Sequence, residues 1–234
     1  MITIIPVEGV PEIQEGDDLA AVLGERADFE RGDVLVVAQK VVSKAEGRVV
    51  RLADVEASDR ARDLADDRDP RELEFVLREA RRIVRTRPPL VIAETRHGFV
   101  CASAGVDHSN AAGVGTLVLL PIDPDASARR LSEALGVAVI VSDSFGRPFR
   151  QGTTDVAIGV AGLAPLLDLR GTRDAAGYEL RTTTIAVADE IAGAAELVMG
   201  KSRGVPAAIV RGLEVSGDGT ARELVMPAER DLFQ

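Results

Sequence analysis

The sequence predicts an α+β fold on three observations. Short Val- and Ile-rich runs and amphipathic runs follow one another in mixed order, with no repeat at a fixed spacing. The strand-like runs at Leu90–Ala93 and Gly98–Ala102, and those at Asp33–Val37 and Val41–Val50, sit at hairpin spacing rather than in a strict βαβ alternation. The glycine motifs of doubly wound nucleotide folds are missing. No GxGxxG follows a strand, and the GKS of Gly200, Lys201 and Ser202 lacks the upstream glycine of a phosphate-binding loop.

Each element has a local reason. The remaining strand-like runs are Ile2–Ile5, Thr116–Leu120, Val137–Ser142, Val156–Val160, Leu180–Ile185 and Ala207–Val210, rich in β-branched residues and bounded by Gly, Pro, Asp or Arg. Helices are predicted over Asp17–Leu23, Ser58–Asp67, Pro70–Val84, Pro124–Leu135 and Val187–Met199. Most begin near Asp, Ser or Pro, residues suited to the unpaired amides of a first turn. In the helix from Pro70, Leu73, Phe75, Val76, Ala80 and Ile83 form a stripe among Arg and Glu that marks a core-facing surface helix.

Composition bounds the function. The 234 residues are 46% hydrophobic but only 3% aromatic, with no Trp, which supplies a core and few stacking platforms. Division by a typical domain of about 150 residues gives ~1.6 domains, so one large domain or two subdomains fit. Asp plus Glu number 38 against 28 Lys plus Arg, a net charge of −10, which argues against nucleic acid and against an anionic membrane surface. No apolar run approaches the ~20 residues of a membrane span, and the first residues lack a basic start followed by an apolar run, so a soluble chain without a removed leader is expected. The single cysteine, Cys101, and the absence of zinc-type spacing fit a reducing cytoplasm. Lys40, Lys44 and Lys201 are the only lysines.

Chemistry-bearing residues gather in five segments at the ends of apolar runs, where a rigid scaffold delivers side chains to a site. The first, Glu8, Gly9, Val10 and Pro11, leaves a strand with amides open to a ligand. In the second, Gln39 precedes Lys40 and Lys44, ammonium groups in a mostly apolar run that either reach solvent or meet a buried anion such as phosphate. In the third, Asp107 and Asn110 offer a hard oxygen and an amide one turn apart, suited to a divalent ion and a polar ligand; the same residues are also ordinary turn formers. The fourth delivers Asp143 and Ser144 from a strand, with Arg147 and Arg150 within seven residues. A carboxylate for Mg²⁺ beside bases for phosphate oxygens is the recurring equipment of nucleotide chemistry. The fifth runs from Met199 through Pro206, closing a helix with Lys201 and Arg203.

The segments PVEGVPEIQEGDDL from Pro6, DVLVVAQKVVSKAEGR from Asp33, ASAGVDHSNA from Ala102, VIVSDSFGRPFRQGTTDVAIGVAG from Val139 and VADEIAGAAELVMGKSRGVPAAIVRG from Val187 occur in this order over nearly the whole chain. Together they resemble the coenzyme F420-0:γ-glutamyl ligase family. The resemblance implies a cytoplasmic GTP-dependent ligase that uses Mg²⁺ or Mn²⁺, often with a monovalent K⁺, to join L-glutamate to the deazaflavin precursor F420-0. It further implies a homodimer and a single ligase unit over residues 1–234, built of two intertwined subdomains with largely antiparallel sheets. By motif, Asp107 and Asp143 would ligate one divalent ion and Ser144 would approach a second. Glu8, Gly9, Val10, Pro11, Gln39, Lys44 and Asn110 would line the nucleotide, with Met199, Gly200, Lys201, Ser202, Arg203, Gly204, Val205 and Pro206 around its other side. A protonated Lys201 cannot itself ligate a metal. Asp143, Arg147 and Arg150 are the expected catalytic residues, the arginines adding charge where it develops. The same residue kit would also serve a metal-dependent phosphotransferase or hydrolase, or a nucleotide-binding module without chemistry.

Overall fold

The computed structural model of the chain describes residues 1–111 and 113–232. Five strands form the main sheet: β1 (Thr3–Pro6), β2 (Val34–Ala38), β8 (Ala138–Arg147), β9 (Arg150–Ala161) and β12 (Ala207–Arg211). Their order is β1-β12-β2-β8-β9, antiparallel throughout except for the parallel pair β2 and β8. A three-stranded antiparallel sheet holds β4 (Ala80–Arg87), β5 (Leu90–Thr95) and β6 (Val100–Ala102). Two antiparallel pairs complete the described strands: β3 (Val49–Arg51) with β7 (Thr116–Val118), and β10 (Leu167–Asp168) with β11 (Thr184–Ile185). The helices are α1 (Leu19–Gly24), α2 (Gln39–Ala45), α3 (Asp59–Ala65), α4 (Pro70–Glu79), α5 (Pro124–Leu135) and α6 (Val187–Met199). The predicted α+β class with mostly antiparallel sheets is therefore observed.

The core explains the strand order. Val34, Leu35, Val36 and Val37 are all buried, the unbroken apolar run required of a strand covered on both faces. Around β2 the first cluster of buried side chains gathers Ile140, Ile158, Ile209, Leu23, Leu131 and Ile191, bringing α1, α5 and α6 onto the sheet. Each such side chain contributes roughly 1.5–3 kcal/mol when fully buried. A second cluster, with Leu73, Val76, Val91 and Leu117, lies under α3 and α4. Helix α5 shows the sequence logic at its ends: Asp123 accepts from the Ala126 amide, Pro124 takes the first turn, and Gly136 closes the helix at φ 72°.

Three predicted elements differ. The run Val41–Val50 is not one strand, and it forms no hairpin with Asp33–Val37; the chain turns directly from β2 into α2, and only Val49–Arg51 is extended. Gln39, Val42 and Ser43 are buried at helical spacing, so the packed face outweighs the β preference of Val41 and Val42. The helix from Pro70 stops at Glu79 rather than Val84, because Ala80 and Ile83 pair with Thr95 and Ala93 of β5. Of Leu180–Ile185, only Thr184 and Ile185 are extended. Among the described residues no helix is long and apolar enough to cross a membrane.

Candidate active site

The parallel pair creates the site. β2 and β8 run side by side to Ala38 and Ser142, and beyond that point β2 becomes α2 while β8 continues with Asp143 and Ser144. Sheets bind ligands beyond the carboxyl ends of parallel strands, where the chain diverges and leaves a crevice. Here the crevice is a cavity of about 380 Å³. Its walls are the loop after β1, the start of α2, Asn110, the β8 and β9 strands, and the segment from α6 into β12. Because β12 lies beside β2, the Gly-rich segment entering it is drawn over the cavity; Gly200, at φ 56°, makes the bend that ends α6.

Of the residues singled out in the sequence, Val10, Pro11, Gln39, Lys44, Asn110, Asp143 and Ser144 line the cavity, as do Met199, Gly200, Lys201, Ser202, Gly204, Val205 and Pro206. All three lysines of the chain therefore line one cavity. Asp107 is joined to it through Lys40, whose ammonium lies 2.7 Å from Asp107 Oδ2 and donates to Ser109 Oγ at 2.6 Å. Glu8 and Gly9 are exposed and outside the lining, and Arg203 turns back to donate to the Val198 carbonyl at 3.4 Å. Arg147 and Arg150 face each other at the exposed tip of the β8–β9 hairpin, with Arg147 donating to the Gln151 carbonyl, and neither lines the cavity.

The charges inside oppose one another. Burial pushes Asp143 up to about 7, against its Ser144 amide hydrogen bond and the Lys40 charge, and the nearby charges of Asp107 and Asp155 push the same way as burial. Burial also acts on Asp107, but hydrogen bonds from Lys40 and from the Ser109 amide and hydroxyl outweigh it and hold that carboxyl below its usual range. Glu196, on the last turn of α6, is raised by burial and by Asp155 against Lys201 and Lys40. Lys44 is 6% exposed and pairs with Glu12. Gln39 accepts a hydrogen bond from Ser43 through Oε1, while its Nε2 is buried without a partner. A stranded amide donor costs about 1–3 kcal/mol unless a ligand supplies an acceptor.

Glu12, Ser142, Asp155 and Glu196 also line the cavity, and reasoning from the sequence missed them. Asp155 sits eleven residues beyond Ser144 and faces it only through the β8–β9 register. The sequence signal was a polar GTTD run entering an apolar strand, which reads equally as a turn. Among the described residues no three His, Cys, Asp or Glu side chains converge as a ready-made ligand set. The oxygens at hand are the carboxylates of Asp107 and Asp143 and the hydroxyl of Ser144, all hard donors. Mg²⁺ or Mn²⁺ accepts such a sparse set when water and phosphate complete its shell. Asp143 and Ser144 turn hard oxygens into the cavity and Asp107 adjoins it through Lys40, so these residues fit a divalent ion.

The profile of the family described as "F420-0:Gamma-glutamyl ligase" matches residues 9–212. The protein of Methanothermobacter thermautotrophicus named "Coenzyme F420:L-glutamate ligase" is 46% identical over 252 residues, covering 100% of this chain and 99% of its own length. The protein of the same name from Methanopyrus kandleri is 47% identical, with 100% and 98% coverage, and that of Natronomonas pharaonis is 47% identical, with 97% and 92%. With the match spanning both the main sheet and every wall of the cavity, the chain belongs to the F420-0:gamma-glutamyl ligase family.

Proposed function

We propose that this protein joins L-glutamate to F420-0 through an amide bond, consuming GTP bound in the cavity at the ends of β2 and β8. The observation that carries the reading is the gathering of Lys40, Lys44 and Lys201 with Asp143 and Ser144 around one cavity of a chain otherwise poor in lysine. The unpaired Gln39 amide adds a buried donor waiting for a ligand acceptor.

A carboxylate is a poor electrophile at neutral pH, so amide formation needs activation. In the proposed sequence the acceptor carboxylate attacks the γ-phosphorus of GTP, releasing GDP and forming an acyl phosphate. The glutamate amine then attacks the acyl carbon, the C–O bond to phosphate breaks, and inorganic phosphate leaves. A repetition on the product would extend the γ-glutamyl tail. Lys40, Lys44 and Lys201 line the cavity, and their charge would hold phosphate oxygens there. Asp107, Asp143 and Ser144 would hold Mg²⁺ or Mn²⁺, which when bound neutralises phosphate charge during transfer. The hairpin-tip position of Arg147 and Arg150 supports the lysines, rather than these arginines, as the source of charge inside the cavity.

Assembly as a homodimer, two interlocked subdomains and residence in the cytoplasm belong to the same proposal; the two buried clusters and the single, buried cysteine are in keeping with the latter two. GTP turnover measured with each substrate omitted tests the reaction class. Turnover is expected only when both glutamate and F420-0 are present; full turnover with neither would make the protein a nucleotide hydrolase.

A further inference from the structure

Asp155 enters the cavity from β9, where it lies opposite Ser144 in the β8–β9 register. It is 5% exposed and accepts from two hydroxyls: Ser144 Oγ donates to Oδ1 at 2.6 Å and Ser142 Oγ to Oδ2 at 3.0 Å. Ser142 and Ser144 are two residues apart on one strand and so share a face. Both carboxylate oxygens are thus engaged by β8, the strand that carries Asp143 and Ser144. A serine hydroxyl has one hydrogen and two lone pairs. With its hydrogen committed to Asp155, Ser144 has only lone pairs left to offer; without that acceptor the hydroxyl would turn freely and donate as readily as accept.

We propose that Asp155 is a positioning residue that fixes Ser144 as a lone-pair donor for a divalent cation, with Ser142 anchoring the carboxylate from its other oxygen. The proposal rests on the reading of Asp107, Asp143 and Ser144 as cation ligands. It assigns Asp155 an action through Ser144, distinct from direct ligation and from the mere presence of a negative charge. Partners that orient a ligand in this way are worth roughly 10–100-fold in metal affinity.

The test is Mn²⁺ binding, read from the electron paramagnetic resonance of the free ion, on protein without nucleotide or substrates. Asp155→Asn and Ser144→Ala are each expected to weaken binding about 10-fold, and the double variant to bind no more weakly than Ser144→Ala alone. Asp155→Glu keeps the charge, displaces the acceptor and is expected to weaken binding as well; it carries the test if the Asn variant does not fold, as judged by its melting transition. Losses that add in full in the double variant, or unaltered affinity in Asp155→Asn or Asp155→Glu, would overturn the proposal. No Mn²⁺ binding by the unaltered protein would instead remove the cation reading itself, and the proposal with it.

Discussion

At Asp143 two demands meet in one side chain: the strand half-buries it, and the cavity needs its charge. The nearby carboxylates make that charge harder to hold, which is the setting in which a bound cation contributes most. Asp143→Asn is nearly isosteric and removes only the charge, so ligation is expected to fall about 100-fold or more with the melting transition retained. Near-normal turnover would take Asp143 out of the mechanism. At Lys44 the expectation concerns binding. Its ammonium is buried while its partner Glu12 is mostly exposed, so Lys44→Ala strands no buried charge. Loss of one charge-assisted contact to phosphate, about 1.5–3 kcal/mol, predicts GTP binding weakened roughly 10-fold or more in a calorimetric titration. Unchanged affinity would leave Lys44 as a structural partner of Glu12. Both residues were legible in the sequence because they stand out locally, a carboxylate at a strand end and a lysine in an apolar run. Asp155 and Glu196 were not, because their place at the cavity is set by strand register and by the docking of α6, neither of which is local.

Among the elements, the junction of α5 with the main sheet is held by buried polar geometry as well as apolar area. Asp125, in the first turn of α5, is buried and accepts from the amides of Val160 and Ala221, at 2.9 and 2.8 Å. Asp125→Ala leaves both amides without an acceptor. A loss of about 2–5 kcal/mol in unfolding free energy is expected from chemical denaturation; a loss below about 0.5 kcal/mol, the range of an ordinary surface substitution, would mean that water replaces the carboxylate. Close approach limits the same junction: a Cβ at Gly159 would lie 2.2 Å from the Pro124 carbonyl oxygen. Helix α5 was legible at both ends because its caps are local chemistry. The elements misread, α2 and the start of β4, are those where a tertiary neighbour decides. Helix α2 is selected by the face it buries, and β4 by the edge of β5 that it completes.

Across the whole molecule, Asp33 and Arg211 join the start of β2 to the end of β12. Asp33 is 1% exposed and receives Arg211 Nε and Nη2 at 2.9 and 2.8 Å, with the Glu30 amide at 2.8 Å. The Arg211 guanidinium holds the Asp33 carboxyl below its usual range, with the Glu30 amide acting in the same direction and burial opposing both. A carboxyl with a depressed folded value adds stability that is present above its unfolded value of about 3.9 and lost as the pH falls through the folded one. The stability gap between the unaltered protein and Asp33→Asn, followed by urea unfolding, is therefore expected to shrink as the pH falls from neutrality into that acid range. A gap that stays constant would assign the pair no part in acid stability. At this scale the α+β class and the acidic surface were legible, whereas the single parallel pair that opens the cavity was not, since β2 and β8 are separated by about a hundred residues.

The central claim is that one cavity, lined by all three lysines beside Asp143 and Ser144, serves an amide-forming reaction. It is tested most directly by mass spectrometry of the products from F420-0, L-glutamate and GTP with Mn²⁺. The expected result is F420-0 heavier by one or more glutamyl units, with one GDP formed for each unit added. GDP released with F420-0 unchanged in mass would contradict it.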